Sequence, residues 1–147
     1  YGLEEEPQGA FNEYASSIRE QGFGKEAKRR ILLGTYVRKA GWRDAYYIKA
    51  LKIRHKIINE FKKLFAKVDV LAAPTMPFPP PKFKDINAMT PLQHYMADTL
   101  TVAPNLAGIP MLSVPVKKEE MIGLHFMADH LKEKNIIQLG AHYERIR

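Results

Sequence analysis

The sequence predicts an α/β fold, with several helices and about three strands around one core. Three observations carry that reading. A 3.6-residue apolar period runs through residues 42–67, which is the pattern of a long amphipathic helix. Short apolar runs at 68–73, 111–116 and 121–127 are bounded by prolines or charged turns, as strands are. The 147 residues are 46% hydrophobic and 27% charged, which excludes wholesale disorder and fits one compact domain over residues 1–147.

Taken in order, residues 11–19 hold a short helical pattern. The glycine-flanked step at 22–24 breaks it, and a second helix follows over 25–39. Gly41 separates that helix from the long one, whose stripe is Tyr47, Ala50, Leu51, Ile57, Ile58, Phe61, Leu64 and Phe65. Residues 68–73 read as a buried strand ending at Pro74. Six of the ten prolines then lie between 74 and 91, predicting an extended segment with little room for a helix. Thr90 caps a helix with Pro91 at its first position, and that helix is expected to end near Pro104, leaving 105–110 as a tight connection. Residues 111–116 and 121–127 form a hairpin around the charged turn 117–120, and an amphipathic helix over 133–147 closes the chain. Three strands are few for a sheet packed on two faces, so the apolar faces exceed what this chain alone covers.

Chemistry is narrowed mostly by exclusion. The absence of cysteine removes disulfides, thiol nucleophiles and thiolate metal sites, and fits a reducing compartment such as the cytoplasm. The opening eight residues are acidic, unlike a signal peptide, and no apolar run has the length of a membrane span. No HExxH, GxGxxG or Walker glycine loop occurs, so neither a metal nor a nucleotide has a ready cradle. The only serines are Ser16, Ser17 and Ser113, and none lies on a glycine-rich elbow. Charge is uneven: residues 25–67 carry fourteen basic and three acidic side chains, while residues 68–147 balance at eight of each. Such a block can be a phosphate footprint, or the solvated face of a helix. Lys49, Lys52, Lys56 and Lys63 fall opposite the apolar stripe and favour the solvated face.

Four stretches go further: GFGKEAKRRILLGTY at 22–36, DAYYIKA at 44–50, VDVLAAPT at 68–75, and Asp98 followed by NLAGIP at 105–110 and SVP at 113–115. Together, in this order and spacing, they resemble the C-terminal third of the amidase signature family. The similarity is greatest to the A subunits of the glutamyl-tRNA(Gln)/aspartyl-tRNA(Asn) amidotransferases. It covers essentially the whole chain, which then corresponds to a C-terminal fragment of an amidase domain. Val116 stands where many members carry cysteine.

The resemblance implies the C-terminal portion of the amidase signature fold, a mixed sheet with flanking helices. It also implies a parent that hydrolyses glutamine at a Ser, cis-Ser, Lys triad and supplies ammonia for transamidation of misacylated tRNA. The triad belongs upstream of the matched segment, so this chain is expected to hold no catalytic residue, metal or cofactor and to be inactive alone. ATP and Mg would be used by a partner subunit. The implied partners are the N-terminal part of the A subunit, the B and C subunits, glutamine and misacylated tRNA, with no membrane. For this third, the resemblance implies substrate binding: Arg30 for the glutamine α-carboxylate and Asp98 for its α-ammonium. A guanidinium fork suits a carboxylate through two parallel charge-assisted bonds. Arg29, about 100° around a helix from Arg30, is assigned a structural or surface role. Two other readings stay open: a free-standing basic RNA-binding or interaction module, and a fragment of a general amidase. The charged pair argues against the latter, because a neutral amide would leave both charges unpaired.

Overall fold

The computed structural model describes residues 9–117 and 121–146. The acidic opening, the tip of the predicted turn at 118–120 and the last residue of the predicted terminal helix therefore lie outside the described residues. The chain divides into two compact units, one ending at Leu51 and the other beginning at Lys52.

The first unit is helical. Helix α1 (Phe11–Gly22) ends as the Phe23 N–H reaches the Arg19 carbonyl at 3.1 Å, and Gly24 in an extended conformation opens α2 (Lys25–Arg38). Gly41, at φ 86°, supplies the reversal after α2, a conformation that side chains with a Cβ resist. A wide π-helical turn, Arg43–Ile48, follows and runs directly into α3 (Lys49–Phe65). The sequence predicts only a continuous helical period here. The wider winding accompanies Trp42 lying between Tyr36 and Tyr46, with ring centroids 5.4 and 5.7 Å apart. No residue of α1, α2 or the π turn is buried.

The second unit holds a three-stranded sheet in the order β1-β3-β2, with β1 at Val70–Pro74, β2 at Met111–Pro115 and β3 at Gly123–Ala128. Both pairings are antiparallel, so β2 and β3 form the predicted hairpin and β1 completes the sheet on the far side of β3. Pro74 is tolerated because β1 is an edge strand in the described sheet. Helix α7 (Glu133–Ile146) packs on β2 and β3 through Ile136, Gly140 and Tyr143, spaced four and three residues apart. The core joins Val114, Phe126, Ala128 and Ile136, flanked by Val70, Leu112, Leu124 and Tyr143. Alternation along the strands puts all of the strand members on the face toward α7. Tyr143 meets Phe126 edge-on at 6.1 Å and donates its hydroxyl to the Val116 carbonyl at 3.2 Å.

Between β1 and β2 the chain departs from expectation twice. A one-turn helix, α4 (Phe83–Ile86), forms inside the proline-rich crossing, because the cluster of prolines stops at Pro81 and leaves the next residues their N–H groups. The single predicted helix after Thr90 is two: α5 (Pro91–Ala97) and α6 (Thr99–Ala107), which meet at Asp98. Pro104 does not end the second. It sits inside α6, and the stop is Gly108 at φ 72°, whose N–H bonds the carbonyls of Pro104 and Asn105. The expected tight connection at 105–110 thus begins three residues late.

Candidate functional site

Arg30 lies on α2 in the first unit. Its Nε donates to Glu26 Oε1 at 3.1 Å, and Arg29 grips the same carboxylate with Nε at 3.0 Å and Nη2 at 3.2 Å. The i, i+3 and i, i+4 spacing brings both arginines over Glu26 despite the angle between them. Those hydrogen bonds, from Arg29 first and Arg30 second, hold the Glu26 carboxyl below its usual range. The Arg30 side chain is 68% exposed, and its two terminal nitrogens carry no hydrogen bond among the described residues. The edge of the guanidinium that forks onto carboxylates therefore faces solvent, held in place from behind.

Asp98 lies in the second unit, at the junction of α5 and α6, and several contacts hold its backbone. Helix α5 begins with a full capping box: Thr90 Oγ1 accepts the Gln93 N–H at 3.3 Å, and Gln93 Oε1 accepts the Thr90 N–H at 2.8 Å. The Asp98 carbonyl accepts from the N–H groups of Thr101 and Val102, both at 3.0 Å. At the other end of α6, Arg54 Nε donates to the Leu106 carbonyl at 2.8 Å and His130 Nδ1 to the Gly108 carbonyl at 3.1 Å. The exposed carboxylate itself has no partner among the described residues. It stands beside the first turn of α6, whose free N–H groups favour a negative charge.

On the sheet face opposite α7, Ser113 bonds a neighbour, as a hydroxyl inside an apolar strand is expected to, but the sequence does not reveal that neighbour. There Ser113 Oγ and Thr75 Oγ1 are 2.6 Å apart, bonded across Gly123, where an added Cβ would come within 2.5 Å of both oxygens. His125 is directly opposite Ser113 in the ladder and is 3% exposed, yet its Nδ1 has no partner among the described residues. Burial pushes its pKa down, so the ring is held neutral. A serine opposite a buried histidine suggests a nucleophile with its base, but the Ser113 hydroxyl is turned to Thr75 instead. Ser17 Oγ accepts from Gln21 Nε2 at 3.1 Å on the surface of α1. The local signals for these contacts are weak, since Thr75 and Ser113 are brought together only by strand pairing. Among the described residues, no group of three potential metal ligands converges, and no helix is long and apolar enough to cross a membrane.

Comparison with known proteins is consistent in direction. The family model described as Amidase matches residues 5–137. The chain is 44% identical to the Glutamyl-tRNA(Gln) amidotransferase A subunit of Deinococcus radiodurans over 99% of its own length and 31% of the relative's. Toward the protein of the same name from Ruminiclostridium cellulolyticum, identity is 45% over 98% of this chain and 30% of the relative. The crystal structure of the Thermotoga maritima protein, also of that name, superposes with a TM-score of 0.61 at 32% identity, covering 86% of this chain and 28% of that one. Allophanate hydrolase of Kluyveromyces lactis shares the fold, with a TM-score of 0.65 at 18% identity over 90% of this chain and 21% of that one. The chain thus spans a little under a third of the length of these amidotransferase relatives.

Proposed function

The chain belongs to the amidase family, and from that premise we propose that it is the substrate-binding part of a glutamine-dependent amidotransferase A subunit working in tRNA amidation. Arg30 receives the α-carboxylate of glutamine on its terminal nitrogens, and Asp98 accepts the α-ammonium. The observation that carries this reading is that Arg30 keeps its two terminal nitrogens unbonded while its Nε is braced on Glu26, and that the Asp98 carboxylate, at the α5–α6 junction, has no partner among the described residues. A charged side chain already held by its own element loses little side-chain entropy on binding, which suits each of the two for its end of a zwitterion. Acyl transfer requires a nucleophile and base from outside these residues. Ser113 Oγ shares a hydrogen bond with Thr75 Oγ1 and Ser17 Oγ accepts one from Gln21 Nε2, and neither neighbour is a base.

The test is glutaminase kinetics in a complete A subunit carrying these residues. Arg30→Ala is expected to lower kcat/KM for glutamine by about 2 to 5 kcal/mol of transition-state stabilisation, the cost of removing the partner of a carboxylate that becomes desolvated when bound. Lys63→Ala, which breaks only a surface pair with Glu60, is expected to change it by less than about 0.5 kcal/mol. Asp98→Asn is expected to raise KM for glutamine more than for an analogue lacking the α-amino group. Equal effects of Arg30→Ala and Lys63→Ala would overturn the assignment. So would ammonia release by the chain alone that Ser113→Ala abolishes.

A further inference from the structure

We propose that the first unit carries a stacking site for single-stranded RNA, built from the ladder Tyr36, Trp42 and Tyr46 and the cations around it. The three rings are 44%, 43% and 51% exposed. Their planes are tilted by 32° and 41° across centroid distances of 5.4 and 5.7 Å, so neither pair meets edge to face. Trp42 is the middle rung, and the part-exposed Tyr36 and Tyr46 flank it.

Arg38, Lys39, Arg43 and Lys49 lie within the same short segment, all exposed and without an ion pair among the described residues; Asp44 is the only acid in it. Exposed aromatics alone would equally suit a protein surface. The core of a protein interface, however, is depleted of lysine, whereas aromatic rings set among cations such as Lys39 and Lys49 are how proteins hold unpaired bases and their phosphates. The π-helical turn supports the same reading, since such turns gather at functional sites and this one carries Arg43 and Tyr46 together. The choice of RNA over DNA rests on the proposed place in tRNA amidation. The site does not involve Arg30, so loss of glutamine use on Arg30→Ala and loss of RNA binding test separate claims.

Trp42 is the only tryptophan in the chain, and its emission reports this site alone. The chain is titrated with a single-stranded RNA of about ten nucleotides, a single-stranded DNA and an RNA duplex of like length, and inorganic polyphosphate, between about 50 and about 200 mM salt. Single-stranded RNA is expected to quench Trp42 and to bind at least several-fold more tightly than the DNA, while polyphosphate leaves the emission unchanged. Tyr46→Ala is expected to weaken RNA binding about tenfold, and Tyr46→Phe, which keeps the ring, to restore it. Lys39→Gln with Arg43→Gln is expected to reduce the slope of log affinity against log salt by about 1.4, the loss of two phosphate contacts. Absence of quenching, or equal quenching by all four polyanions, would overturn the proposal. So would a Trp42 emission change driven by protein concentration without RNA, which would make the ladder a contact between copies of this chain.

Discussion

The two units spend similar apolar side chains in opposite ways. In the second, Val114, Phe126, Ala128 and Ile136 are each at most 5% exposed, because a sheet face and the α7 stripe close on one another. In the first, Ile31, Leu32 and Leu33 are consecutive on α2 and so point around it, and each is more than half exposed. A helix with apolar residues on several sides has no single face to bury against one neighbour. The contrast teaches that hydrophobic content alone does not make a core. The geometry must collect it on one side, as period-2 strands and a four-and-three helix spacing do in the second unit. Where the geometry does not, side chains remain available for contacts with other molecules.

The sharpest test of this contrast is truncation on either side of it. Phe126→Ala is expected to cost about 3–5 kcal/mol in urea unfolding followed by circular dichroism, the range for emptying a packed aromatic site. Leu32→Ala, at 70% exposure, is expected to change stability by less than about 0.5 kcal/mol. Comparable losses would mean that the first unit is packed in solution to the same degree as the second.

A smaller effect probes the sheet face that α7 leaves open. Gly123→Ala would push a methyl between Ser113 Oγ and Thr75 Oγ1 and part their hydrogen bond, at an expected cost of about 1–3 kcal/mol. Gly123 does not have a positive φ, so the cause is space and not backbone conformation. If the same substitution were neutral, the hydroxyl pair would be an incidental contact.

The mildest lever is pH. Burial keeps the native His125 ring neutral below its ordinary value of 6.5, whereas in the unfolded chain it takes up a proton near that value. The native state then binds fewer protons, so stability is retained above about pH 6.5 and declines as pH falls through that value toward the lowered native pKa. Thermal melts at neutral and mildly acidic pH are expected to show this decline, and His125→Gln to flatten it. An unchanged decline in that variant would place the titrating group elsewhere.

Local pattern alone determined much of this protein. The break at Phe23 and Gly24, the long helix through Phe65, the Thr90 cap, the hairpin strands and the terminal helix all follow from period, capping chemistry and turn residues. Their causes act within about one helical turn or one strand. Arg30 and Asp98 were singled out as candidates through motif resemblance, and the Glu26 brace on Arg30, an i−4 contact within one helix, is of the local kind that a sequence can suggest. Tertiary structure alone decided the rest. Thr75 meets Ser113 across 38 residues of sequence and Arg54 meets the Leu106 carbonyl across 52, both by assembly of elements that carry no local mark of their partners. Pro104 was carried inside α6 because Gly108, Arg54 and His130 secure that helix end from outside it. The burial of His125 depends on which face of the central strand it occupies, and only the register of β3 between β1 and β2 sets that.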